Sequence, residues 1–318
     1  MNKKALCEGA AIAAIAKNRA DAESALAART AAIHNLCPEI AAISNEMEKN
    51  MNALMSTFYD KKSDPESFVK YRERAEELRA KRKALLVANG YEEDALNIKY
   101  SCPLCQDTGA VGEEVCACYK KALSNEYLQI SNLSPDKKDT TFSKFSLDYY
   151  QGADRDKMSK VLTFCKKYVK AFGPGRENLL FAGTPGSGKT FLSCAIAFEL
   201  IEKGNFVIYT PIQEMISAFE SAQFQRDSEA DTSVYLDSDL LIIDDLGAEF
   251  KTPFADTVLY NVINTRINRK KPFIISTNYT SEEINERYHD RITSRLIYET
   301  VNMVFPSVDI RIEKRKQK

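Results

Sequence analysis

Apolar residues recur through the first ninety positions at steps of three and four, the spacing of one helix face. Ile40, Ile43, Met47, Met51 (or Asn50), Leu54 and Phe58 form one stripe, and Phe68, Tyr71, Ala75, Leu78 and Leu85 form a second. Asp64-Pro65-Glu66 reads as a cap followed by a proline in the first helical turn, and Asn89-Gly90 as the stop. Two such stripes joined by a short turn predict an antiparallel helical hairpin whose apolar residues pack on each other. Ahead of them, residues 4–33 are alanine-rich and predict a helix with a smoother surface, suited to docking on another protein. Farther along the chain the pattern changes to short apolar runs of strand length at 179–182, 206–209, 240–243, 272–277 and 301–305. The unbroken aliphatics of 240–243 are what a parallel strand buried on both faces shows. Residues 191–201 return to helical spacing, so this half is predicted to be α/β with a parallel sheet.

Between the first of these strands and that helix stands Gly183-Thr184-Pro185-Gly186-Ser187-Gly188-Lys189-Thr190, which fits G-x-x-x-x-G-K-[ST]. Glycines at 183, 186 and 188 let backbone N–H groups turn inward around phosphate oxygens, where the positive end of the following helix adds attraction. Lys189 would reach the β and γ phosphates of ATP, and Thr190 would hold Mg2+. A glycine-rich strand-to-helix turn without a ligand is the plainer alternative, and the downstream motifs argue against it.

The buried strand at 240–243 runs into Asp244 and Asp245 at the carboxyl end of the sheet, beside the phosphate loop. Asp244 is the metal-side carboxylate in this reading, and Asp245 would polarise the attacking water. The strand at 272–277 ends in Asn278, whose amide would contact both the γ phosphate and that water. In Asp290-Arg291-Ile292-Thr293-Ser294-Arg295-Leu296 the two arginines are four apart and share one helix face. Either would serve as a trans-acting arginine finger. From the spacing alone, a solvated face paired with Asp290 or Glu299 is the better account.

Together, the Walker A loop at 183–190, Asp244-Asp245 followed by Leu246-Gly247, the strand ending in Asn278, and Ser294-Arg295-Leu296 resemble the AAA+ ATPases of the bacterial helicase-loader group (DnaC/DnaI type). They also resemble the related transposition helper ATPases (IstB type). Phe142-x-x-Phe145 followed by Tyr149-Tyr150 is similar to the segment that enters the ATPase domain in this group, so the likeness covers roughly residues 142–311. It implies that Lys189 and Thr190 are nucleotide and metal residues, Asp244 and Asp245 the Walker B pair, and Asn278 the sensor. It makes Arg295 the first choice of finger and Arg291 the second, with self-association through the finger. Many AAA+ proteins have Glu where Asp245 stands and carry a helical lid with a second sensor arginine. Here a short tail follows the last strand, which implies no lid and slow, partner-dependent hydrolysis.

Upstream, Cys102-Pro-Leu-Cys105 and Cys116-Ala-Cys118 supply four thiolates, enough for one tetrahedral Zn2+ in a closed structural site. Asp107-Thr108-Gly109 follows the first pair and gives the turn that brings its sulfurs together. Neither histidine, His34 or His289, lies within reach in sequence, and a redox pair, the rival function, would use two of the cysteines. The arrangement is similar to the zinc-bearing amino-terminal domain of some helicase loaders. Cys7, Cys37, Cys165 and Cys194 are scattered, and Cys194 reads as a small core residue.

The division expected is a helical partner-binding region at 1–95, a four-cysteine zinc module at 96–130 and an AAA+ domain at 131–318. With 318 residues, 44% of them hydrophobic, the chain can bury a substantial ATPase core. The net charge of −1 gives no overall pull toward nucleic acid, so any DNA contact must be local. Candidates are the basic tail (Arg311, Lys314, Arg315, Lys316, Lys318) and a stacking surface of Phe219, Phe224 and Arg226. Glu8 interrupts a start that superficially resembles an export signal, and no run is long enough to cross a bilayer, so a cytoplasmic protein is expected. The combined expectation is an ATPase that loads a replicative helicase onto single-stranded DNA. Its alternatives are an IstB-type transposition helper and a nucleotide-binding adaptor with little hydrolysis.

Overall fold

The computed structural model describes residues 2–59, 65–134, 137, 140–224 and 231–312. Asp64, Arg226 and Lys314, Arg315, Lys316 and Lys318 lie outside the described residues, as does the side chain of Phe58. The chain forms two compact units, one made of Ala13–Cys118 and the other of Met1–Ile12 with Tyr119–Lys318.

Three helices begin the chain: α1 (Lys3–Leu36), α2 (Pro38–Tyr59) and α3 (Pro65–Ala88). The helical hairpin expected from the two stripes is α2 with α3. Asn50 Nδ2 donates to the Tyr71 carbonyl at 2.8 Å and Glu46 pairs with Arg74, so rising numbers on one helix meet falling numbers on the other. Asn50, not Met51, occupies the inward position: Met51 is exposed. Phe68 is exposed too, because a two-helix face covers only part of each stripe; the dry core of this unit is Ile33, Ile40, Leu86 and Ala95. Gly90, at φ +80°, ends α3 in the left-handed conformation that glycine adopts without penalty.

A small hairpin of β1 (Ala110–Val111) and β2 (Glu114–Val115) leads into α4 (Ala117–Ile130), and α5 (Gly152–Lys170) precedes the main sheet. That sheet contains β3 (Asn178–Ala182), β4 (Val207–Pro211), β5 (Leu240–Leu246), β6 (Phe273–Thr277) and β7 (Thr300–Val304). Each matches one predicted strand to within a few residues. The five are all parallel, in the order β4-β5-β6-β3-β7. Leu240 to Ile243 and Phe273 to Ile275 are fully buried, as strands covered on both faces must be. The connecting helices are α6 (Lys189–Glu202), α7 (Ile212–Gln223), α8 (Ser233–Asp237), α9 (Pro253–Asn268), α10 (Ser281–Arg287) and α11 (Asp290–Tyr298). Thr252 caps α9 and Thr280 with Glu283 forms a capping box on α10, which fixes where each helix starts. The result is the α/β, parallel-sheet AAA+ architecture expected after a helical region.

The order decides the chemistry. Although β6 follows β5 by a whole helix in sequence, it lies between β5 and β3 in space. The loop after β6 therefore sits between the phosphate loop and the acidic end of β5.

Candidate functional site

At the carboxyl end of β3 the chain turns through residues 183–188 into α6. Gly186 and Gly188 hold φ +77° and +99°, values that suit glycine, and Gly188 is the residue just ahead of the helix. The Tyr150 hydroxyl donates to the Ser187 carbonyl at 2.9 Å, so the entry segment braces the loop from below. A cavity of about 190 Å³ opens here, lined among others by Phe145, Tyr149, Gly186, Lys189, Thr190 and Arg311.

Lys189 is buried, and burial, the largest influence on it, pushes its ammonium below the ordinary lysine value; Asp245 and Asp244 pull the other way. Its Nζ donates to the Gly183 carbonyl, to the Thr184 carbonyl at 2.9 Å and to Asn278 Oδ1 at 2.8 Å. Asn278 Nδ2 in turn donates to Asp245 Oδ1 at 2.9 Å. One amide thus joins the loop cation to the second Walker B acid. Asp245 is held at φ +60°, where β5 and β6 slip register between Ile243 and Leu246, and this left-handed turn separates its side chain from that of Asp244. Asp244 accepts from Thr190 Oγ1 at 3.2 Å, as a magnesium pair would require, and also from the hydroxyls of Tyr209 and Ser276. The structure therefore brings together Gly183, Thr184, Pro185, Gly186, Ser187, Gly188, Lys189, Thr190, Asp244, Asp245 and Asn278.

Arg291 and Arg295 lie elsewhere on the unit, on α11, and neither lines the cavity over the phosphate loop. The Arg295 guanidinium is engaged within its own chain. It donates to Asn264 Oδ1 at 2.8 and 3.0 Å and sits 4.7 Å from the centre of the Tyr260 ring on α9. Arg291 is exposed. Behind α11, Glu249 is buried, accepting from the Gly247 amide at 2.8 Å and from Arg287 at 3.0 Å, and from the Tyr288 hydroxyl. This buried carboxylate ties the turn after Walker B to the base of the arginine-bearing helix.

Several site residues escaped the sequence reading. Tyr209 is one aromatic in an apolar strand, and nothing local marks its hydroxyl for Asp244. Ser276 interrupts an otherwise apolar strand, a local sign that its side chain meets a polar partner. Arg311, which the sequence groups with the basic tail, lines the cavity over the phosphate loop. Of the stacking surface expected from the sequence, Phe219 is half-buried with its ring 5.8 Å from that of Tyr235, and Phe224 is exposed.

In the other unit the four predicted cysteines converge. Their sulfurs all lie within 4.8 Å of one another, with Cys102 to Cys116 at 3.7 Å and Cys105 to Cys118 at 3.3 Å. A tetrahedral zinc site with bonds of about 2.3 Å places its sulfurs about 3.8 Å apart, so this donor set fits the ion. The knuckle is preformed by its backbone. Asp107, buried at φ +53°, accepts from the amides of Ser101 and Cys102, both at 2.8 Å, while the Gly109 carbonyl accepts from the Cys116 amide at 2.9 Å. Burial pushes the Cys105 thiol up, but hydrogen bonds from Cys118, the Gly109 backbone and the other two cysteines outweigh it and hold the thiol low. Cys194 is in the core, as expected, and no helix among the described residues is long and apolar enough to cross a membrane.

The chain is similar in sequence to several known proteins. The replicative helicase loader DnaC of Escherichia coli K12 is 26% identical over 139 residues, covering 43% of this chain and 56% of DnaC. The loader DnaI of Bacillus subtilis is 30% identical over 131 residues, covering 40% of this chain and 41% of DnaI. The chain thus spans about half the length of these curated relatives. The phage-like element PBSX protein XkdC of Bacillus subtilis is 28% identical over 221 residues, covering 65% of this chain and 82% of XkdC. A crystal structure of the DnaC helicase loader superposes with a TM-score of 0.48 at 21% identity, over 54% of this chain and all of that one. The model of the family described as "IstB-like ATP binding protein" matches residues 110–311, more than half of the sequence, and the chain belongs to that family.

Proposed function

We propose that this protein is an ATPase that delivers a replicative DNA helicase onto single-stranded DNA, using ATP as an assembly switch. The observation that carries the switch is the chain of contacts from Lys189 through Asn278 to Asp245. The choice of cargo rests on the relatives named as replicative helicase loaders and on the four-cysteine cluster that precedes the ATPase unit.

In this reading the backbone amides of 183–188 and the Lys189 ammonium bind the phosphates. Thr190 and Asp244 hold Mg2+, which would neutralise charge on the β and γ phosphates. Tyr209 and Ser276 fix the Asp244 carboxylate. Asp245 takes up a proton from water, and Asn278 orients that water while sensing whether a γ phosphate is present. Helix α11 offers an arginine to a neighbouring subunit. Because Arg295 is already held by Asn264 and Tyr260, Arg291 is the freer of the two. Cys102, Cys105, Cys116 and Cys118 hold structural Zn2+ within residues 96–130, and the helices of residues 1–95 form the partner-binding region.

A transposition helper is the second reading, favoured by the family match itself; an adaptor with little hydrolysis is the third. Co-purification separates the cargo readings. A hexameric helicase retained in the presence of ATP supports loading, and retention of a transposase in its place sinks it. Absence of turnover with both partner and DNA present favours the adaptor.

A further inference from the structure

We infer that the cleft at the amino ends of β3, β6 and β7, at the opposite end of the sheet from the phosphate loop, is a second anion site, which takes a backbone phosphate of a nucleic-acid strand with a base on Tyr298. It shares no residue with the nucleotide cavity, so the inference stands apart from that site. The cleft measures about 620 Å³ and is lined by the end of α9, the turn that leads into β6, the loop before β3 and the first residues of β7. Its walls are fixed to one another. Asn178 Nδ2 donates to the Glu299 carbonyl at 2.9 Å while its Oδ1 accepts from the Phe273 amide at 3.2 Å, so one side chain joins three strand starts. The Gly175 amide donates to the Lys270 carbonyl at 2.9 Å. Four cationic side chains line this space, Arg176, Arg266, Lys270 and Lys271, against the carboxylates of Glu177 and Glu299. Glu177 is already paired with Arg176 at 3.0 Å.

Arg266 makes this group more than a solvated surface, because it is fully buried. Its two Nη atoms donate to the carbonyls of Tyr235, Ser238 and Pro272 and to the Ser238 hydroxyl, all neutral acceptors, and its Nε has no partner. Among the described residues no carboxylate forms an ion pair with it. The two acids whose charge reaches it, Asp239 and Asp237, are held by other cations, Lys4 and Arg269, each at 3.0 Å. Burial, the largest influence on both groups, pushes Arg266 down to about 9 and also lowers Lys271, and the charge of Arg266 adds to the depression of Lys271. A buried charge without a counter-ion is costly, and like charges in one cleft repel. An anion seated among Arg176, Lys270 and Lys271 relieves both. The chain carries a net charge of −1, so this positive excess is local. Tyr298 indicates what carries the anion. Its ring is 82% exposed at the cleft, and an exposed aromatic face beside cations stacks the bases of a single strand while its backbone is held.

The test is fluorescence anisotropy with a labelled oligothymidylate on the full chain, across a series of salt concentrations. Lys270→Gln should weaken binding several-fold and Lys270→Glu more, and the slope of log affinity against log salt should become shallower by about one in Lys270→Gln. Tyr298→Ala should weaken binding about tenfold with the slope unchanged, the scale of one lost base stack. Both side chains are exposed, so melting temperature and affinity for a fluorescent ATP analogue should stay at the parent values. If the parent binds the strand and all three variants bind it with the parent affinity and slope, DNA is held elsewhere and the inference is overturned, while delivery onto single-stranded DNA stands. A parent that binds the ATP analogue and no strand also overturns it.

Discussion

Lys189 Nζ donates to Asn278 Oδ1 at 2.8 Å, a contact between residues 89 positions apart that places the phosphate-loop cation and the end of β6 in one hydrogen-bonded unit. Because the other arm of the amide reaches Asp245, one side chain connects the loop to the acid proposed to act on water. Lys189→Ala should abolish ATP binding in calorimetry, since nothing else on α6 supplies a cation to the loop. ATP affinity retained at the parent level would remove Lys189 from the site.

The same lysine sets a pH dependence. Burial lowers its folded value below the ordinary lysine value of 10.5, whereas bound phosphate favours the charged form, so binding must take up a proton once the free site begins to lose it. ATP affinity should accordingly fall with rising pH, starting below the ordinary lysine range. Isothermal titrations across the alkaline range in buffers of differing ionisation enthalpy should record that uptake. A flat profile up to the ordinary lysine value would contradict it.

Asp245→Asn and Asn278→Ala should leave ATP binding within a few fold and lower turnover by about two to four orders of magnitude, the scale of a positioned acid or base. Single-turnover assays with partner and DNA present distinguish this from a binding defect. Parental turnover in Asp245→Asn would move the base elsewhere.

Tyr209→Phe deletes one hydroxyl from Asp244 with little change in volume. Removing a residue that orients a metal ligand typically costs about 10–100-fold in metal affinity. The Mg2+ concentration needed for half-maximal turnover should rise on that scale while turnover at saturating Mg2+ is largely restored; an unchanged requirement would reduce Tyr209 to a packing role.

On α11 the two arginines should behave differently. Arg295→Ala removes hydrogen bonds to Asn264 and a stack on Tyr260, so it should destabilise the unit by about 1–3 kcal/mol in thermal melts, whatever its effect on turnover. Arg291→Ala should melt like the parent and lose about three orders of magnitude in turnover, the scale of an arginine finger. Mixed with Lys189→Ala chains it should regain activity, one chain supplying the pocket and the other the finger. Co-assembled mixtures that stay inactive would assign Arg291 no trans role.

Elemental analysis should find one Zn2+ per chain, lost in Cys102→Ser and Cys116→Ser, with the melting of the ATPase unit unchanged. Asp107→Ala should weaken metal retention against a chelator, because two knuckle amides lose their acceptor. A metal-free protein with normal melting of both units would refute the zinc assignment.

The sequence by itself determined the local chemistry. The phosphate loop, the acidic strand end, the four-cysteine spacing and the five strands were all legible because each is written in consecutive residues or at a fixed period. A glycine-rich loop or a C-x-x-C knuckle forms its geometry from its own backbone. The helical hairpin was legible too, although which of Asn50 and Met51 turns inward depended on the opposing helix. What only the tertiary structure decided is which distant side chains share a space. The insertion of β6 between β5 and β3 puts Asn278 between Lys189 and Asp245, and the adjacency of β4 and β5 puts the Tyr209 hydroxyl on Asp244. The seating of residues 305–311 turns Arg311 from a tail residue into a cavity wall. No periodicity encodes these meetings, because strand order and the path of a closing segment follow from packing over the whole core.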